Sequence, residues 1–156
     1  MTVDLVTPQH AIQPHQTILI VEDSDIDFEA TLRALRKNGL GNPIMHCEDG
    51  DEALDFLYRR AEHKDSELER PAIILLDLNM PGTDGREVLE EIKANEELKN
   101  IPVIVLTTST DERDINKCYE YGANSYVQKP VSMDGFLDAV RRIKEFWFEV
   151  AVFPRD

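Results

Sequence analysis

Four short runs rich in apolar residues in this 156-residue chain end in side chains able to do chemistry. Residues 18–21 lead into Glu22-Asp23, 72–76 into Asp77, 103–106 into Thr107-Thr108, and 125–127 into Gln128-Lys129-Pro130. Brought together, these ends would line one rim with carboxylates, a hydroxyl and an ammonium. Clustered acids raise each other's pKa unless a cation sits among them. Oxygen ligands on a half-solvated rim suit Mg2+, which keeps several waters and often shares its shell with a phosphoryl oxygen. A carboxylate beside that ion can attack phosphorus and form an aspartyl phosphate. Such transfer needs mainly positioning and charge neutralisation, so Mg2+, one Lys and one hydroxyl are a sufficient set. The implied event is acceptance of a phosphoryl group on Asp77. Taken singly, each residue has a plainer reading: Glu22 and Asp23 as helix N-terminal acids, Thr107 as β-branched packing, Tyr126 as a half-buried tyrosine. Asp25 and Asp27 read as a solvated helix face.

The elements that must position these residues follow from the spacing of apolar side chains. After the first run, Phe28, Leu32 and Leu35 recur at helical intervals, and Asn38-Gly39 supplies a stop. Residues 43–47 form a weaker strand candidate, followed by a helix carrying Ala53, Leu54, Leu57 and Tyr58. The charge-rich stretch 59–70 reads as a helix end and surface loop. Val88, Leu89 and Ile92 mark a third helix, and Ile115, Cys118 and Tyr119 a fourth. Phe136, Val140, Ile143 and Trp147 mark the last, at i, i+4, i+7 and i+11. Strand then helix, five times over, with unbroken apolar strands, predicts a parallel sheet covered by helices on both faces. Right-handed crossovers leave a doubly wound α/β sandwich. In such sheets ligands bind outside the carboxyl ends of the strands, where Glu22, Asp23, Asp77, Thr107 and Lys129 fall.

Composition narrows the function classes. Lys and Arg number 17 against 31 Asp and Glu, a net charge of −14. That balance argues against nucleic acid or an anionic membrane, which clustered Lys and Arg engage. Residues 17–29 alone hold five acids and no Lys or Arg. No run approaches a membrane span, and residues 1–15 lack the basic and apolar parts of a secretory signal. They read as a flexible lead. Cys47 and Cys118 offer neither a disulfide framework nor a metal-ligand cluster, which suits a reducing, cytoplasmic setting. His10, His15, His46 and His63 show no ligand spacing and read as surface residues.

Four motifs together resemble the receiver domain of two-component response regulators: Val21-Glu22-Asp23-Ser24, the stretch 75–85 (LLDLNMPGTDG), Val105-Leu106-Thr107-Thr108 and Tyr126-Val127-Gln128-Lys129-Pro130. The resemblance spans residues 16–147. It implies a flavodoxin-like (βα)5 fold with strand order 2-1-3-4-5. It implies Asp77 as phosphoacceptor, Glu22 and Asp23 as the acidic pair, and Mg2+ held by Asp23, Asp77 and the main-chain carbonyl of Asn79. It further implies Thr107 as the switch hydroxyl, Tyr126 as its aromatic rotamer partner, Lys129 as the phosphate-pairing lysine, and a cis Lys129–Pro130 bond. The phrase Asp84-Gly85-Arg86-Glu87-Val88-Leu89, the Thr107-Thr108-Ser109 triplet and the ending Phe146-Trp147-Phe148-Glu149 resemble the small regulators paired with bacterial and cyanobacterial phytochrome kinases. The implied donor is therefore a histidine kinase of phytochrome type, and the chain a phosphoacceptor rather than an enzyme with steady turnover.

Two competitors stand beside this reading. An aspartate-nucleophile phosphatase would want an acid two residues after Asp77, where Asn79 stands, and a substrate cap for which the chain has no room. A pseudo-receiver scaffold would not need the intact acid, hydroxyl and lysine set. The end of the chain is the other unusual feature, since Phe146, Trp147, Phe148 and Phe153 are four of eleven aromatics. With Phe148, Val150 and Val152 alternating, residues 148–156 read as an extended apolar arm making a homodimer contact. The nine residues after Trp147 are too few for an output domain. Signalling would pass through the helix 4–strand 5–helix 5 face of the receiver itself.

Overall fold

The computed structural model describes residues 11–60, 63–67, 69–80 and 82–152. Five strands, β1 (Ile18–Val21), β2 (Ile44–Cys47), β3 (Ile73–Leu76), β4 (Val103–Thr107) and β5 (Ser125–Gln128), form one parallel sheet in the order β2-β1-β3-β4-β5. Five helices follow them in turn: α1 (Asp25–Lys37), α2 (Gly50–Leu57), α3 (Gly85–Ala94), α4 (Glu112–Glu120) and α5 (Met133–Ile143). The doubly wound sheet and its order are those anticipated.

The unbroken strands are explained by two cores. Leu19, Val21, Ile74, Leu76, Val103 and Val105 point to one face, packed against α2, α3 and Cys118 of α4. Ile18, Ile20, Ile73, Leu75, Ile104 and Leu106 point to the other, packed against α1 and α5. Period-2 alternation persists, but both faces are dry, so both sets are apolar.

Register then sets the site. Val21 pairs with Leu76, and Leu76 with Val105, so Glu22 and Asp77 leave the sheet side by side. Each helix starts at that same edge with a side-chain cap: Ser24, Asp49, Asp84, Asp111 and Ser132 accept from backbone N–H groups of the first turn. Acids in those first turns, such as Asp25, Asp27, Asp51, Glu52 and Asp114, face the positive helix ends. Part of the acidic surplus is therefore structural, concentrated where the chemistry lies.

Three expectations change. Ala11 and Ile12, assigned to a flexible lead, are buried, Ile12 within the α1–α5 core, while Asn42 donates to the Gln13 carbonyl at 2.9 Å. An apolar side chain with a core face to fill docks the chain from residue 11; residues 1–10 lie outside the described part. The Lys129–Pro130 bond is trans, as is every peptide bond described, following the intrinsic preference of X–Pro. The C-terminal segment is not an extended arm up to Val150: α5 runs on as a π-helix, Lys144–Val150, closed by Ala151 N–H donating to Phe146 O at 2.7 Å. A π turn takes in one extra residue. The buried position therefore falls on Phe148 instead of Trp147, and Phe148 joins the α1–α5 core while Trp147 packs against it half-buried. Val150 and Val152 remain exposed, and Phe153 lies outside the described residues.

Candidate functional site

At the carboxyl edge, Glu22, Asp23 and Asp77 each offer an oxygen within 4.8 Å of the others. Asp77 follows β3 directly; its N–H donates to Val21 O at 3.0 Å, and one carboxylate oxygen accepts from Leu78 N–H at 2.8 Å. Its side chain is nearly buried, with 10% of its surface exposed. Glu22 is buried and Asp23 exposed, so the acid cluster runs from interior to rim.

Lys129 reaches the same point from β5, anchored by its N–H donating to Thr107 O at 2.7 Å. Its Nζ donates to Glu22 Oε1, lies 3.1 Å from Asp27 Oδ2 and stands 3.6 Å from Asp77 Oδ2. The buried ammonium thus neutralises carboxylates from two strands and a helix. Burial pushes Glu22 up to about 7, against the pull of Lys129. Burial alone would lower Lys129, but Glu22, Asp77 and Asp27 outweigh it and hold the ammonium above its usual range.

Asp27 is the residue that sequence reasoning assigned to solvent. It sits in the first turn of α1, and its partner Lys129 comes from 102 residues further along the chain, so no local spacing marks it. Gly85, read in the sequence only as part of a motif, has a structural role of its own. A Cβ there would stand 2.2 Å from Asp77 O and 2.7 Å from Leu78 Cα, so only glycine lets α3 close on the loop that carries Asp77. His46, read as a surface residue, stacks on Phe28 with ring centroids 3.7 Å apart, and its Nε2 lies 2.8 Å from Glu22 O.

Thr107 ends β4 fully buried, with Thr108 exposed beside Lys129. Thr107 Oγ1 lies 3.5 Å from Ser109 N. Tyr126 donates its hydroxyl to Ser109 O at 3.0 Å, and Ser109 Oγ donates to Asp114 at 2.7 Å. Asp114 pairs in turn with Arg86, which also grips Asp84. One loop residue, Ser109, therefore joins Thr107, Tyr126, α4 and α3. Asn79 lies exposed two residues after Asp77.

This fold, with a carboxylate cluster and a lysine at the carboxyl edge, is that of a phosphoryl-accepting signalling domain. The chain belongs to the response regulator receiver domain family, whose model matches residues 18–141. It is 41% identical over 141 residues to response regulator Rcp1 of Synechocystis sp. (strain ATCC 27184 / PCC 6803 / Kazusa), spanning 90% of this chain and 95% of that protein. The phosphorylated cyanobacterial phytochrome response regulator RcpA superposes with a TM-score of 0.85 at 39% identity, over 90% of this chain and 99% of RcpA. The Mn2+-bound form of Rcp1 gives 0.83 at 40% identity, with 90% and 99% covered. Receiver domains bind a divalent metal, and the all-oxygen set of Glu22, Asp23 and Asp77 fits a hard cation.

Proposed function

We propose that Asp77 accepts a phosphoryl group from the phosphohistidine of a phytochrome-type histidine kinase, in a Mg2+-dependent step in the cytoplasm. The observation that carries this reading is the Asp77 carboxylate at the carboxyl edge, 3.6 Å from the buried Lys129 ammonium. The carboxylate attacks phosphorus, the phosphorus–nitrogen bond of the donor breaks, and the departing imidazole takes up a proton. Lys129 holds its charge beside the oxygens of the incoming group. Asp23, Asp77 and the carbonyl of Asn79 would hold Mg2+, with Glu22 behind them; the ion supplies charge neutralisation on the phosphoryl oxygens. Exposed Ile26, Val131 and Met133 flank Lys129 and give a docking kinase apolar surface beside the acceptor.

Thr107 and Tyr126 form the switch. When the phosphoryl group arrives, Thr107 turns its hydroxyl toward it and gives up its contact with Ser109. That frees the loop to which Tyr126 is pinned and shifts the α4–β5–α5 face. The exposed Phe146, Val150 and Val152 form a homodimer contact, with Trp147 and Phe148 holding the base of that segment on its own domain.

Intact-mass analysis after incubation with acetyl phosphate and Mg2+ tests the acceptor. One added phosphoryl group on the wild type, none on Asp77→Asn, and none with excess chelator is the expected pattern. Modification of Asp77→Asn to the wild-type extent overturns it.

A further inference from the structure

Away from the acid edge, the end of β2, the start of α2 and the turn after α2 bring together three different donors. Cys47 Sγ, a Glu52 carboxylate oxygen and a His63 ring nitrogen all lie within 4.8 Å of one another. We infer that these three residues form a second metal site, for a borderline transition-metal ion of the Zn2+ class.

Each donor is held by backbone that does not depend on a metal. Cys47 is the last residue of β2, paired with Val21. Glu52 is fixed in the first turn of α2, where its N–H donates to the capping Asp49 at 2.8 Å. His63 is tied by its N–H to Arg60 O at 3.0 Å, and its ring packs edge-on against Phe56 with centroids 5.4 Å apart.

The imidazole carries the argument furthest. His63 is only 14% exposed in its side chain, its Nε2 is shut from solvent without a hydrogen-bond partner, and the nearest carboxylate oxygen, Glu52 Oε1, is 4.0 Å away. A buried polar nitrogen left unpaired is costly, and native structures leave few of them. An ion between the three donors would give that nitrogen its partner.

The donor types select the ion. Thiolate, imidazole and carboxylate in one set suit Zn2+ and its neighbours, whereas Mg2+ and Ca2+ take oxygen alone. Three protein ligands leave a fourth tetrahedral position for water. Burial and the nearby carboxylates of Glu52, Asp49 and Asp55 keep the Cys47 thiol protonated in the free chain. Uptake of M2+ therefore forms a metal–sulfur bond as the S–H bond breaks, and the proton leaves to solvent. The same carboxylates favour the arriving cation.

The two metal sites are separable, because the acid edge has no sulfur. Co2+ is the probe, added to the full chain under reducing conditions with excess Mg2+ occupying the acid edge. The wild type should develop the near-ultraviolet sulfur-to-cobalt charge-transfer band with about one equivalent, erased by Zn2+. His63→Gln, a change at the turn outside the sheet, should weaken Co2+ binding at least ~10-fold with far-ultraviolet circular dichroism unchanged. Cys47→Ser should remove the band, and Asp77→Asn should leave it intact. No charge-transfer band in the wild type, a band unaffected by His63→Gln, or a band lost in Asp77→Asn would each overturn the assignment.

Discussion

At the carboxyl edge of the sheet, Glu22, Asp77 and Lys129 are charged and buried; at the C-terminal end, Phe146, Val150 and Val152 are apolar and exposed. Both regions reverse the usual partition of side chains, but the reversals are resolved differently. At the edge the resolution is internal: Lys129 contacts Glu22, Asp27 and Asp77, so each buried charge has an opposite within reach. At the C-terminal end it is divided. The π turn buries Phe148 in the chain's own core, and the neighbouring apolar residues Phe146, Val150 and Val152 stay exposed, the surface proposed above to meet a second copy. A site that must exchange one anionic group for another is built from balanced charge. The surface proposed to meet a second copy is built from apolar side chains on a helical base.

Gly85→Ala probes the edge most severely. The new Cβ meets the Asp77 and Leu78 backbone, so α3 must shift, at ~3 kcal/mol or more in denaturant unfolding. A loss under ~1 kcal/mol would show that α3 is not what fixes the Asp77 loop. At the other end, Phe148→Ala should cost ~3 kcal/mol, the usual range for emptying a buried phenylalanine site. A negligible loss would return residue 148 to an extended arm.

Lys129→Met leaves the buried carboxylates unpaired and should cost ~3 kcal/mol at pH 8. The sign with pH follows from Glu22, whose carboxyl is already raised from 4.5 to about 7 by burial. A raised folded-state pKa contributes stability at low pH and loses it as pH rises through that pKa. The deficit of Lys129→Met should therefore shrink as pH falls toward 4.5. A deficit that grows on acidification would contradict the balanced-charge account. The smallest effect is Val150→Ala, expected within ~0.5 kcal/mol of wild-type stability while lowering the solution mass measured by light scattering. A solution mass equal to that of the wild type would break the contrast between the two regions.

Much of this was legible beforehand because the strands are unbroken apolar runs and the reactive residues sit at their ends. Glu22, Asp23, Asp77 and Lys129 converge as their positions in the runs require. The misses share a physical cause: each depends on packing that periodicity does not carry. Trp147 continues the ideal helical spacing of Phe136, Val140 and Ile143, but a π turn moves the buried position to Phe148. Asp27 reads as solvated until Lys129 arrives from a strand 102 residues away. Ile12 is docked by a core face that the sequence does not display, and His63 is enclosed by Phe56 and a turn of irregular backbone.

The most direct test of the central claim is phosphotransfer from a purified, radiolabelled phytochrome-type histidine kinase in the presence of Mg2+. Label should pass to the wild-type chain in a form stable to acid and released by hydroxylamine, and should fail to reach Asp77→Asn. Equal hydroxylamine-sensitive labelling of both proteins would contradict the assignment of Asp77 as the phosphoacceptor.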